Sequence, residues 1–192
     1  MDTVTNPPPP EHMESPATGP LARLDALDRR VTRRILIAQT ADGRVRFGVS
    51  ALRRFSEAGS YGVGWVVLFA LVGLRADGVW PAVVSSLFVL GMLTSNTLIK
   101  NVFKRPRPTL RAIKHAPSSW SMPSAHTSMA MVGAATMSVM VPDLTILWWS
   151  VAAALGLSRV MLGMHFLGDV LVGAVLGTAV GLLIAAPVVS AL

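Results

Sequence analysis

The sequence predicts an all-α fold: a polytopic transmembrane helical bundle with about five spanning helices, preceded by an N-terminal amphipathic helix on the membrane surface. Composition is the first reason, since 52% of the 192 residues are hydrophobic and only 14% are charged, a balance found in membrane proteins. Distribution is the second, because the apolar residues gather into long runs in the last two thirds of the chain. Five stretches, at 59–74, 80–99, 124–141, 144–164 and 168–189, approach or reach the roughly 20 residues that cross a hydrocarbon core as helix.

The first twenty residues hold a proline run at 7–10 and no apolar core. A secretory signal would begin basic and then turn apolar, so residues 1–20 are expected to be a disordered tail. Over 21–57 an amphipathic interfacial segment is expected. Leu24, Leu27, Val31 and Ile35 recur at helical spacing, with Arg23, Arg29, Arg30, Arg33 and Arg34 mostly around the other face, which suits a helix lying on the membrane surface. A solvated helix packed on the bundle is the alternative. Val45, Val49, Leu52 and Phe55 continue the pattern in a second short piece. Residues 58–192 make the membrane domain.

Within it the first two spans are joined by a tight turn at 75–78, and the second ends at Lys100. A basic loop follows to Ser121, the third and fourth spans turn at Pro142 and Asp143, and the last two are separated by a few residues around His165. The unusual polar residues therefore gather at one end. Nine Arg precede the first span, six Lys or Arg lie between Lys100 and Lys114, and Arg159 sits near the same end, against Arg75 alone on the other side. By the positive-inside tendency the N-terminus and the basic loop face the cytoplasm, in a multi-pass protein of the cell (inner) membrane. The formal charge of +7 is thus matched to lipid headgroups rather than to nucleic acid.

Ionisable groups at the ends of apolar spans are costly, so Lys100, His126, Arg159, His165 and Asp169 each need a reason to be there. Cations, two imidazoles and a carboxylate at a common depth suit a dianionic phosphoryl group, whose transfer needs charge neutralisation, a nucleophile and an acid. His165 and Asp169 are four residues apart, one helical face, where the carboxylate can hold one ring nitrogen and leave the other to attack. Alone, such a pair also suits a structural hydrogen bond. Pro123, Ser124, Ala125 and His126 open a span, with proline in the first helical turn and free backbone donors for an anion. An ordinary helix start with an interfacial histidine has the same pattern. Arg107 and Arg159 can each grip phosphate through two donors, and Lys100 acts as a point charge. Lys104, Arg105, Arg111 and Lys114 are read as serving topology or lipid headgroups.

Three motifs then stand in order: Lys100, six residues, Arg107-Pro108; Pro123-Ser124-Ala125-His126; and Ser158-Arg159, five residues, His165, three residues, Asp169. Together, over about 55–182, they resemble the type 2 phosphatidic acid phosphatase superfamily of membrane lipid phosphatases. The resemblance implies that His165 forms a phosphohistidine, that Asp169 orients it, and that His126 is the general acid for the leaving alcohol. It implies phosphate binding by Lys100, Arg107, Ser124 and Arg159, with Ala125 standing where glycine is usual and keeping its backbone N–H.

The implied activity is hydrolysis of a phosphomonoester or pyrophosphate of a membrane lipid. Undecaprenyl pyrophosphate, phosphatidylglycerophosphate and phosphatidate are alternative substrates. A cytosolic active site and an Arg-rich, Lys-poor composition favour a polyprenyl-linked sugar phosphate of cell-wall synthesis, decaprenylphosphoryl-5-phosphoribose. A transporter or scaffold with a buried ion-pair network is the competing class; haloperoxidase chemistry on a similar anion site fits a multi-span chain poorly. The absence of cysteine excludes disulfides and thiolate chemistry. His12 and His115 lie in the tail and the loop, and no competing ligand spacing is present, so no metal or other cofactor is expected. Gly173, Gly177 and Gly181 recur every fourth residue, which predicts close helix packing within the bundle, with dimerisation the alternative.

Overall fold

The computed structural model describes residues 20–36, 47–75, 79–108 and 119–192. The tail expected over 1–20, apart from Pro20, lies outside them, as do Val45, the turn at 76–78, Arg111, Lys114, His12 and His115. The regular structure among the described residues is helical: α1 (Pro20–Ile35), α2 (Phe47–Ala58), α3 (Val63–Gly73), α4 (Trp80–Phe103), α5 (Ala125–Met140), α6 (Thr145–Met161), α7 (Leu167–Val180) and α8 (Ala186–Ser190), the last two joined without a break through a π-helical turn at Gly181–Ala185.

Among the described residues three helical rods have the length and apolarity to cross a membrane: Trp80–Phe103, Pro142–Met161 and Leu167–Ser190. Their starts follow proline chemistry, with Pro81 and Pro142 in first turns where a missing N–H costs nothing. Their outer faces stay apolar. Leu98, Val102, Ile146, Val175 and Leu183 are 65% to 84% exposed, which suits lipid rather than water.

The remaining two expected spans take a different form. Residues 59–62 do not continue a straight helix. Tyr61 and Gly62 adopt left-handed φ of 54° and 74°, and α2 and α3 meet at a 62° bend, so this pair counts as one span only if both arms are taken together. Gly62 is required twice over, because a Cβ there would lie 2.6 Å from Val89 Cγ1. Helix α5 has 16 residues, about 24 Å at 1.5 Å per residue, shorter than the hydrocarbon core. It is instead the centre of the bundle. From Thr127 to Met137 it is buried on every side, packed by α4, α6 and α7, with Met129, Val132 and Met137 meeting Trp65, Phe69, Val89, Met92, Trp148 and Leu155.

Helix α1 forms over the predicted periodic stretch, but it turns polar residues to the bundle. Thr32 is fully buried, while Leu24 and Leu27 are 61% and 55% exposed.

The glycine repeat packs α7 and the π-turn directly on α5. A Cβ on Gly173 would meet Ser124 O at 2.7 Å, one on Gly181 would meet Ala135 Cβ at 2.8 Å, and one on Gly177 would collide with the Ser128 carbonyl. Because backbone cannot yield as a side-chain tip can, Gly177→Ala should destabilise the detergent-solubilised protein by about 1–3 kcal/mol. Gly91→Ala, a helical site with open space around it, should leave the thermal midpoint unchanged or raise it. Thermal unfolding of the two variants side by side checks both expectations.

Candidate active site

Antiparallel connection brings four helix ends to one place. Lys100 is in the last turn of α4, His126 in the first turn of α5, Arg159 in the last turn of α6, and His165 and Asp169 flank the start of α7. Lys100, Arg107, Ala125, His126, Arg159 and His165 line one cavity of about 510 Å³, whose remaining wall comes from α2, the bend at Tyr61, α4, the Ser119-Trp120 stretch, Met129 of α5 and the turn after α6.

His165 is not on a helix with Asp169. Helix α6 ends at Met161, Gly163 two residues on has a left-handed φ of 67°, and the N-cap of α7, Phe166, is extended at φ −71°, ψ 157°. The i, i+4 pair predicted for one helical face is made instead by this extended turn folding back. Asp169, in the first turn of α7, accepts the Phe166 N–H at 2.9 Å through Oδ2, which places a carboxylate at the positive end of the helix. His165 Nδ1 faces that same Oδ2 at 3.5 Å.

Ser121 completes the arrangement. Its hydroxyl donates to Asp169 Oδ2 in a very short contact, which leaves its oxygen able to accept from His165 Nδ1 at 3.4 Å. A proton on Nδ1 leaves the Nε2 lone pair to accept from Arg107 Nη1 at 3.2 Å, on the cavity side. Burial pushes the His165 imidazole down to about 4, opposed by Asp169 and reinforced by the positive charge of Arg107. The ring is neutral at pH 7, with a lone pair available to an electrophile.

Two of the cations are fixed by main chain. Arg107 donates through Nε to Ser119 O at 2.7 Å and through Nη1 to Met164 O at 2.8 Å, while Lys100 Nζ donates to Trp120 O at 2.9 Å. Burial holds the Arg107 guanidinium below its usual value, against the pull of Asp169. Arg159 donates through Nη1 to Ser56 of α2 at 2.8 Å. Among the described residues its Nε is a buried donor with no hydrogen-bond partner.

Two predicted residues stand behind the cavity wall. Asp169 is fully buried, and Ser124, also buried, accepts the Thr127 hydroxyl at 3.0 Å. Pro123 lies just before the N-cap Ser124 rather than inside the first turn.

Two residues escaped the sequence reading. Ser121, two positions ahead of Pro123, carries no signal except its place beside the second motif. Arg105 does not serve topology or lipid headgroups alone. Its Nη1 donates to Asp169 Oδ1 at 2.7 Å, and its Nη2 to Asp25 and Asp28 at 2.6 and 2.8 Å. Asp25 and Asp28, carboxylates within an arginine-rich helix, were the available hint. Burial alone would weaken the hold of Arg105 on its proton, but Asp169, Asp28 and Asp25 raise it above its ordinary value.

Apolar helical rods with a basic, two-histidine cavity at their common end define a membrane-embedded hydrolase of lipid phosphates. The PAP2 superfamily model matches residues 78–189, more than half of the sequence, and the chain belongs to that superfamily. It is 32% identical over 152 residues to the decaprenylphosphoryl-5-phosphoribose phosphatase of Mycobacterium tuberculosis, covering 71% of this chain and 78% of that one. With the protein of that name from Mycolicibacterium smegmatis it shares 34% identity over 150 residues, 72% and 79% of the two chains. Among solved structures, the PAP2-type phosphatidylglycerolphosphate phosphatase of Bacillus subtilis superposes with a TM-score of 0.68 at 23% identity over 84% of each chain. LpxE of Aquifex aeolicus does so with 0.60 at 24% identity, over 82% of this chain and 93% of its own.

The buried imidazole also sets a pH dependence. His165 binds its proton less tightly when folded, at about 4, than in an unfolded chain near 6.5. Its neutral burial therefore favours the fold above about pH 6.5, and that stability is lost as pH falls from about 6.5 towards 4. Thermal midpoints over that range should fall on acidification for the native protein and fall less steeply for His165→Gln.

Proposed function

We propose that this protein removes the terminal phosphate from a polyprenyl-linked sugar phosphate, decaprenylphosphoryl-5-phosphoribose, at the cytosolic face of the cell membrane. The observation that carries the reading is the convergence of Lys100, Arg107, Arg159, His126 and His165 on one cavity. The likeness to the mycobacterial phosphatases supports the substrate. So does the cavity lining contributed by Arg53 and Glu57 of α2, Tyr61 of the bend, and Thr97 and Asn101 of α4, polar groups suited to sugar hydroxyls.

In this reading His165 Nε2 attacks phosphorus, an N–P bond forms, and the P–O bond to the sugar breaks. His126 gives a proton to the departing oxygen. Water then attacks phosphorus, His126 takes its proton, the N–P bond breaks, and inorganic phosphate leaves. Arg107, Arg159 and Lys100 balance the charge on the phosphoryl oxygens, with the first-turn N–H groups of α5 at the Ser124-Ala125 corner. Asp169 and Ser121 hold the nucleophile's tautomer.

The chain divides into a tail at 1–20, an interfacial segment at 21–57 and a phosphatase bundle at 58–192, with α2 of the interfacial segment closing the cavity. The bundle crosses the bilayer five times, with 59–74, the bend and α3, as the first pass and the enclosed α5 as the third. The exposed Leu24 and Leu27 rest in the interface with arginines around them.

Purified protein in EDTA should release phosphate from polyprenyl phosphoribose phosphate faster than from phosphatidate, phosphatidylglycerophosphate or polyprenyl pyrophosphate. His165→Ala should lose on the order of 10⁴-fold in kcat. A preference for another of these lipids overturns the substrate, and release that persists in His165→Ala overturns the mechanism. A reporter fused after Leu192 should appear outside the cell and one at the N-terminus inside.

A further inference from the structure

The site described above leaves one buried network unused. Asp169 Oδ2 is taken up by the Phe166 N–H, by Ser121 and by His165. Its other oxygen, Oδ1, receives Arg105 Nη1 at 2.7 Å. Arg105 does not line the cavity; its guanidinium is engaged by Asp169, Asp25 and Asp28, so it acts through the carboxylate it touches.

What holds Arg105 comes from α1, which lies outside the segment matched by the superfamily model. Asp25 Oδ1 and Asp28 Oδ2 take its Nη2 at 2.6 and 2.8 Å, and its guanidinium lies over the Phe166 ring, 4.4 Å from the centroid. The same helix caps α7. Phe166 has no side-chain acceptor to offer as N-cap, and the first two N–H groups of α7 are met instead from α1: Leu167 donates to Thr32 Oγ1 at 3.0 Å and Gly168 to Asp28 Oδ1 at 2.9 Å. Gly168 makes room for this, since a Cβ there would lie 2.6 Å from Asp28 Oδ2. Asp28 therefore binds both the arginine that touches Asp169 and the helix that carries Asp169.

We infer that Arg105 is a positioning residue for the His165–Asp169 pair, and that α1, through Asp25, Asp28 and Thr32, is the element that holds it and the start of α7 in place. The inference rests on the proposed reading of His165 and Asp169 as the working pair. Its chemistry is geometric: with Oδ1 bound to a fixed guanidinium, the carboxylate cannot rotate away, and Oδ2 stays on the Ser121 and Nδ1 side. Loss of Arg105 frees that rotation and leaves a buried carboxylate short of a partner, so the fraction of molecules with Nε2 correctly presented falls, while the phosphate-binding cations are untouched.

The test uses full-length protein: wild type, His165→Ala, Arg105→Gln, Arg105→Lys, the double variant Asp25→Asn/Asp28→Asn, and that pair combined with Arg105→Gln. Each is measured for kcat, KM and thermal midpoint with the lipid phosphate that wild type hydrolyses best. Arg105→Gln should lower kcat about 10- to 100-fold, by analogy with the loss of a group that orients a metal-ligating side chain, with KM within about twofold. Arg105→Lys, which keeps the charge and one contact, should recover part of that loss. The α1 double variant should lower kcat in the same sense by a smaller factor, and should have little further effect once Arg105 is Gln. An unchanged kcat in Arg105→Gln, whatever its thermal midpoint, overturns the inference while leaving the histidine mechanism standing, provided His165→Ala is inactive. Fully additive losses overturn the part assigned to α1. Should Arg105→Gln not fold, Arg105→Lys and the α1 double variant decide by the same split between kcat and KM. Release that survives in His165→Ala removes the proposed function and this inference with it.

Discussion

Asp169 carries a carboxylate with no solvent exposure, and the rest of the structure is arranged around making that tolerable. Removing one partner of a buried ion pair costs about 3–5 kcal/mol, so its partners constrain the segments they belong to. The Phe166 N–H requires the extended turn before α7, Ser121 requires the lead-in to α5, and Arg105 requires both the stretch after α4 and the docking of α1. Even the Asp169 carbonyl takes part, accepting the Ser124 N–H at 3.0 Å, which pins the start of α5 to the start of α7. From that anchor the two helices run together, and the glycines at 173, 177 and 181 let them do so at backbone distance.

The cations are held differently. Arg107 and Lys100 lean on carbonyls of Ser119, Trp120 and Met164, acceptors whose positions follow from the chain path rather than from side-chain rotamers. Catalysis of phosphoryl transfer draws mainly on dipoles and charges already in place when the reacting charge develops. A clamp fixed to main chain loses little freedom on binding, whereas a clamp of flexible side chains would have to be ordered each time.

Much of the site was legible because a membrane makes ionisable residues conspicuous. Lys100, His126, Arg159 and His165 stood out as charges or imidazoles at the ends of apolar runs, and the structure brings all four to one cavity with Arg107. The glycine repeat was legible for a similar reason, since small residues every fourth position have few uses on a helix other than close packing. Backbone conformation was not legible. The left-handed Tyr61 and Gly62 break a run that reads as continuous, and the extended Phe166 takes His165 off the helix while preserving its nearness to Asp169. Helix α5 was read to within one residue at each end, as 124–141 against Ala125–Met140, but its enclosure by neighbours on every side was not. Arg105 hid among five other basic residues of its loop, and its partners on α1 lie about 80 positions away, beyond the reach of any local pattern.

Three positive groups, Lys100, Arg107 and Arg159, border one small space and repel one another across it. Any anion that enters relieves that repulsion, and the relief does not depend on whether the anion is esterified to a lipid. Substrate binding is therefore an exchange against whatever anions the surrounding solution supplies, and apparent affinity is a property of enzyme and medium together. Inorganic phosphate, the product, competes on the same terms as substrate.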